Sequence, residues 1–429
     1  MVLIVPLVAL MPLMFAQAMP SADQLAWQDL EIGMFVHFQP NTVSGKEYDD
    51  RAIDLGQLKF KNLNTDQWAQ AASELGAKYV VFVAKHAGGF CNWQTPSSPY
   101  GLRQAAWENG HGDLMKDFSE SCRKRHLEFG VYCSPTDGTF DAGGGGKCNT
   151  PAAQKAYDRV YREQLTELLS RYGPMCEVWF DGSIVVPVAD ILKKHAPHAM
   201  VFQGPEATLR WVGNEDGVAP DPCWYALPQA KAETGTATSA DGDPRGGAWM
   251  PCEVDVSILR PYWFWSAKKQ RNLMTLDQLM SVYYRSVGRG QNLLLNVPPD
   301  ADGAIPSAEM AVCAAFGKEI KRRFSHPVGF VSGGSEAVWK KAHRVDTVVL
   351  AEDLRGGQNV LSFSVYGLSG GKWVLVGSGS AIGHKRILPI RPVALSGIRV
   401  HFDKVLGAAH LRSVAAFDTG VAPPVDWDK

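Results

Sequence analysis

Between residues 28 and 300 the chain repeats one pattern, a short apolar run followed by an amphipathic stretch, and few folds accept that pattern so many times. The apolar runs cover 33–38, 78–84, 129–133, 177–180, 200–203, 249–254 and 292–297. Segments such as 64–75 and 151–171 lie between them and carry apolar residues at helical spacing. Strands alternating with helices build a parallel sheet that the helices cover. Seven or eight repeats over this length predict a (β/α)8-like barrel. No GxGxxG follows the first run, which argues against an open dinucleotide-binding sheet.

A helix over 307–324, with Met310, Cys313, Phe316 and Ile320 on one side and Lys321-Arg322-Arg323 in its last turn, closes this first unit. Past Pro327 the period changes. Leu361, Phe363 and Val365 alternate with Ser362 and Ser364, and further short runs are separated by Gly-rich turns, which predicts an antiparallel β-sandwich. The expected domains are thus a barrel over 19–326 and a sandwich over 327–429. Residues 2–15 are apolar and precede Ala16-Gln17-Ala18, a small-x-small pattern, so 1–18 reads as a signal peptide with a mature start near Met19. The expected location is periplasmic or extracellular, or a lysosome-like compartment in a eukaryote, with no membrane anchor after cleavage.

Composition narrows the chemistry. The 43 basic and 44 acidic residues leave a net charge of -1 with no basic block, which argues against nucleic acid as a partner. The eight cysteines form no CxxC pair, which disfavours zinc and leaves the metal expectation at none. Oligomeric state and disulfide pairing stay open.

In a barrel of this kind the active site lies at the C-terminal ends of the strands, so polar residues just after each apolar run are the candidates. They are His37, Lys85-His86, Tyr132, Asp181, Trp211 and Glu215, Glu253 and Asp255, and Trp263. Carboxylates, histidines and tryptophans without a phosphate loop match the needs of sugar hydrolysis. Two carboxyl groups do the chemistry, polar groups bind hydroxyls, and an indole covers the apolar face of the ring.

The segments GMFVHFQPNT, VFVAKHAGGFCNWQT, EVWFDG and NLLLNVPPDADGAIP resemble, in order and spacing, the signature blocks of the glycoside hydrolase family 29 α-L-fucosidases, over roughly residues 28–320. GHKRI at 383–387 resembles the family's C-terminal sandwich. The resemblance implies a retaining exo-α-L-fucosidase without a metal or other cofactor, acting on a fucosylated oligosaccharide or glycoconjugate. It puts the nucleophile at Asp181. RWVGNEDG, PCEVDVSI and WFW are similar to the branch specialised for α-1,3- and α-1,4-linked fucose, which implies Glu215 as the acid/base and keeps Glu253 as the alternative. The same resemblance implies that His37, Glu47, His86, Tyr132, Trp211 and Trp263 bind the sugar, with Trp93 near the ring or the aglycone. One departure stands out: His86 is followed by Ala87-Gly88-Gly89-Phe90, where many members carry a second histidine and an Asp. One hydroxyl contact is therefore expected to be missing. Two other readings share these residues, a glycan-binding barrel that has lost turnover and a hydrolase of another α-linked sugar.

Overall fold

The computed structural model describes residues 17–232 and 241–421. The expected leader lies almost wholly outside the described residues. Ten strands run through the first part: β1 (Ile32–Val36), β2 (Tyr79–Lys85), β3 (Glu128–Cys133), β4 (Glu177–Trp179), β5 (Met200–Phe202), β6 (Arg210–Trp211), β7 (Ala226–Leu227), β8 (Ala248–Trp249), β9 (Cys252–Ser257) and β10 (Asn292–Asn296). Eight of them form one parallel sheet in the order β5-β4-β3-β2-β1-β10-β9-β6. A parallel bridge from Phe202 to Leu209 joins the two ends and closes the barrel.

The expected repeats are present with two differences. Strand β6 has only two residues, too few for a period to be read. The run at 249–254 belongs to two elements, because the chain breaks at Met250-Pro251 between β8, half of a small antiparallel hairpin with β7, and barrel strand β9. The helices follow the expected pattern. Pro151–Arg171 starts on a Thr150 side-chain cap with Pro at its first turn. Ser307–Phe324 crosses the helix Thr65–Leu75 closely, and a Cβ on Gly317 would lie 2.0 Å from the Glu74 carbonyl oxygen, so that crossing requires glycine.

Inside the barrel Phe35, Tyr79, Val81, Val83, Tyr132, Trp179, Met200, Phe202 and Leu294 form one buried cluster, closed at the base by Trp27. Burying side chains of this size contributes about 1.5–3 kcal/mol each, so this layer is a rigid floor for anything above it.

Six further strands, β11 (Gly329–Ser332), β12 (Glu336–Glu352), β13 (Val360–Ser369), β14 (Lys372–Gly379), β15 (Arg386–Val405) and β16 (Leu411–Phe417), form a separate antiparallel sheet in the order β11-β16-β12-β15-β13-β14. The pairing of the two long strands, β12 and β15, is interrupted by register shifts. Such bulges bend a strand, and here they let one ladder wrap around a single apolar core whose buried residues come mainly from β12, β13, β15 and β16. The GHKRI segment bolts this module to the barrel. His384 Nε2 lies 2.7 Å from Asp29, Lys385 pairs with Glu31 just before β1, and Arg386 forms a two-pronged contact with Asp221 at 2.7 Å. Among the described residues, no helix is long and apolar enough to cross a membrane.

Candidate active site

Side chains alternate across a strand, so a two-residue stride marks the barrel interior. On β4 that stride gives Glu177, Trp179 and, just past the strand, Asp181, while Val178 and Phe180 face the helices. On β9 it gives Glu253 and Asp255, with Val256 in the outer core. The same stride on β1 places Phe35 in the floor and His37 above it. Each strand therefore rises from buried base to open mouth, and the last inward residues meet in one cavity.

That cavity, of about 210 Å³, is lined by Phe35, His37, Glu47, Tyr48, His86, Ala87, Tyr132, Trp179, Asp181, Glu215, Asp255, Trp263 and Phe264. Eight of the residues expected from sequence are brought together here: His37, Glu47, His86, Tyr132, Asp181, Glu215, Asp255 and Trp263. Four rings from consecutive strands build one wall. Phe202 stacks on Trp179 with ring centroids 3.6 Å apart, Trp179 on Tyr132 at 5.5 Å, and Tyr132 on His86 at 5.8 Å.

Asp181 stands where the chain leaves β4 through two successive left-handed residues, Gly182 at φ 72° and Ser183 at φ 75°. Ser183 has a Cβ and is held there by its amide donating to Gln203 Oε1 at 3.1 Å. The turn presents the Asp181 carboxylate to the cavity, and Tyr132 Oη donates to its Oδ2 at 3.0 Å. Burial and the Asp181 charge push the Tyr132 phenol well above its ordinary range, so it stays a donor.

Glu215 sits on the excursion that follows β6. Asn214 ties that turn together, its side chain accepting from the Asp216 amide at 3.0 Å and donating to the Val218 carbonyl at 2.9 Å. Glu215 is exposed to the cavity, and Trp263 Nε1 donates to its Oε2 at 3.2 Å. Trp263 is itself held at both ends. Its backbone amide donates to Glu47 Oε1 at 2.6 Å, and its carbonyl accepts from Asn296 Nδ2 at 2.9 Å. Glu47 also accepts from Lys269 Nζ at 2.7 Å, so its carboxylate clamps the Trp263 loop as well as lining the cavity.

Asn296 also fixes a tautomer. The Trp263 carbonyl can only accept, so the amide nitrogen of Asn296 faces it and the amide oxygen faces His37 Nδ1 at 2.8 Å. Nδ1 therefore carries the proton and Nε2 is left as an acceptor. Burial, then the neighbouring His86, holds the His37 pKa well below its ordinary value, which keeps the ring neutral.

Four expected residues lie elsewhere. Lys85 is fully buried, its Nζ paired with Asp137 Oδ2 at 2.8 Å. Trp93 is fully buried, with Nε1 donating to Glu167 Oε2 at 2.9 Å on the helix Pro151–Arg171, so it packs the βα layer and touches neither ring nor aglycone space. The sequence placed it near the sugar only through its motif, and the chain turns inward after β2. Trp211 backs the site without lining it, its Nε1 donating to Asp255 Oδ1 at 2.5 Å. Glu253 is fully buried one layer below the cavity, accepting from Trp179 Nε1 at 2.8 Å and Tyr79 Oη at 2.9 Å. Its position gives it no access to a leaving-group oxygen. Trp179 and Phe264 are lining residues that the sequence reading did not select. The two-residue stride back from Asp181 is the signal that identifies the first. Among the described residues no group of three or more His, Cys, Asp or Glu side chains could hold a metal ion.

The profile of the Alpha-L-fucosidase family matches residues 46–323, well over half of the chain. Alpha-L-fucosidase 1 of Arabidopsis thaliana is 30% identical over 422 residues, covering 86% of this chain and 81% of the plant protein. The crystal structure of a candidate alpha-L-fucosidase from Bacteroides thetaiotaomicron superposes with a TM-score of 0.87 at 29% identity, covering 94% of this chain and all of that one. A glycoside hydrolase 29 family member from a rumen bacterium superposes with a TM-score of 0.82 at 27% identity, over 96% of this chain and 79% of that one. By sequence profile, plant relative and fold alike, this chain belongs to the α-L-fucosidases of glycoside hydrolase family 29.

Proposed function

We propose that this protein is a retaining exo-α-L-fucosidase that removes terminal fucose, from α-1,3 or α-1,4 branches, with Asp181 as nucleophile and Glu215 as acid/base. The observation that carries the reading is the convergence of Asp181 and Glu215 on one small cavity with room for a single pyranose ring. The cavity size supports exo action.

In the first step the Asp181 carboxylate attacks the anomeric carbon while Glu215 gives its proton to the departing glycosidic oxygen. The Tyr132 hydroxyl orients the nucleophile through its hydrogen bond to Oδ2. Trp263 orients the acid in the same way through Oε2. In the second step Glu215, now a carboxylate, takes a proton from water, which attacks the fucosyl-Asp181 ester and restores the anomeric configuration. His37 Nε2 is a neutral acceptor for a sugar hydroxyl, and the rings of the wall cover the apolar face of fucose. Ala87 lines the cavity where a longer side chain would add a hydrogen bond, which supports a looser grip on one hydroxyl.

The test is fucose release from Lewis-type oligosaccharides and from 2'-linked fucosyl substrates. Release favouring the Lewis-type compounds supports the proposal. No release from either, or faster release of galactose from matched galactosides, sinks it. Export completes the reading, and a secreted product that begins near Met19 is the expected result.

A further inference from the structure

Behind the Glu215 excursion, the β7–β8 hairpin brings two cysteines into line. Ala226 pairs with Trp249 and Leu227 with Ala248, and the Met250 amide donates to the Tyr225 carbonyl at 2.8 Å, one step further along the same antiparallel register. Past the break at Met250-Pro251 that register ends, and Cys252, the first residue of β9, lies beside Cys223. The thiols are in hydrogen-bonding contact, and both side chains belong to one small buried cluster with Val212, Ala219 and Val254. Arg210 lies beside them, its Nη2 3.5 Å from Cys223 Sγ.

From the sulfur contact and the shared buried cluster, we propose that Cys223 and Cys252 are a modification site, a dithiol that a disulfide oxidant converts to an intramolecular disulfide. The structure carries the pair as thiols. The hydrogen bond from Cys252 and the Arg210 guanidinium bring the Cys223 thiol down to about 7 against its burial, while burial pushes Cys252 up. Cys223 is therefore the attacking thiolate. It displaces one thiolate from the oxidant to give a mixed disulfide. Cys252 then loses its proton and attacks Cys223 Sγ, expelling the second thiolate. The pair gives up two electrons and two protons, and the oxidant leaves as two thiols.

The consequence is local. The excursion that carries Glu215 begins in the barrel wall at β6, and the bond fastens its far end, at Cys223, to β9. This does not depend on the fucosidase reading, because its test measures sulfur chemistry and not turnover.

The full-length protein is incubated with oxidised glutathione, quenched in acid, denatured and alkylated with iodoacetamide before and after reduction. The expected result is that Cys223 and Cys252 alkylate only after reduction and map to one disulfide-linked peptide pair. Alkylation of all eight cysteines before reduction, or a disulfide joining Cys223 to any other cysteine, overturns the proposal. Cys252→Ser should trap a glutathionyl adduct on Cys223, and an unmodified Cys223 there would overturn its assignment as the attacking thiol. Reducing the bond should lower the melting temperature by roughly 4 °C, the scale expected for opening a loop of this size in a domain this large.

Discussion

Strand β4 carries two carboxyl groups on its inward face, Glu177 at the base and Asp181 at the mouth, and their surroundings are opposite. Glu177 is fully buried, takes one hydrogen bond from Trp27 Nε1 at 2.9 Å, and interacts with buried Glu253 across the barrel. Asp181 is exposed to the cavity and takes its hydrogen bond from Tyr132. Two carboxyl groups packed among indole and phenol donors, with no cation in the pair, cannot both ionise cheaply. Burial and the Glu253 charge push Glu177 well above the ordinary carboxyl range, and burial pushes Glu253 up to about 7. The lower pair is a proton-sharing brace that fixes Trp179, while the upper pair, Asp181 and Glu215, meets solvent and substrate. One strand supplies both, and depth alone separates chemistry from support.

The sharpest way to break this contrast is to remove the mouth carboxylates. Asp181→Ala should lower kcat on the order of 10^4-fold, with the melting temperature held, and added azide should restore part of the activity. An unimpaired variant would end its assignment as nucleophile. Glu215→Gln should cost roughly 10^2- to 10^4-fold and remove the basic limb of the pH–rate profile. Glu253→Gln is the matched comparison. It leaves one acceptor where two donors, Trp179 and Tyr79, now need one each, so it should destabilise by about 1–3 kcal/mol. Its kcat should fall less than about tenfold, and a loss equal to that of Glu215→Gln would reverse the two roles.

Much of this contrast is legible in the sequence because period and position carry it. The apolar runs predict the barrel, and an Asp directly after EVWF predicts a group at the mouth. Depth is harder to read. Glu253 follows an apolar stretch just as Asp181 does, yet β9 begins at Cys252, so Glu253 stands near the base of its strand and not at the top. The Pro251 break that sets this start merges with the run before it. Trp93 misleads for a related reason, since a motif gives neighbours along the chain and not the direction in which a loop turns. Strand β6 escapes because its pairing with β9 is a tertiary fact that two residues cannot announce.

The brace also predicts how stability follows pH. Glu253 titrates at about 7 in the folded protein against an ordinary 4.5, so between those values the unfolded chain has already released a proton that the folded chain still holds. Stability should therefore fall as pH rises through this window, by about 1.4 kcal/mol per pH unit for one such group. Denaturant unfolding of the wild type and of Glu253→Gln at about pH 5 and pH 7 checks this. A shallower decline in the variant is expected, and identical slopes would mean that the lower pair does not hold its proton.

The smallest effect is expected where the sequence placed a binding residue and the fold places a packing one. Trp93→Phe keeps most of the buried volume and removes only the indole donor to Glu167 Oε2. Arg171 remains on Glu167 Oε1 at 2.8 Å, so the carboxylate keeps one charged partner. The cost should be about 1–2 kcal/mol of stability, the usual consequence of stranding one acceptor at a buried site. kcat and KM for a fucosylated oligosaccharide should stay at wild-type values, because Trp93 has no face on the cavity. A rise in KM with unchanged stability would be the opposite result. It would draw the boundary between site and scaffold one layer further out than the residues lining the cavity.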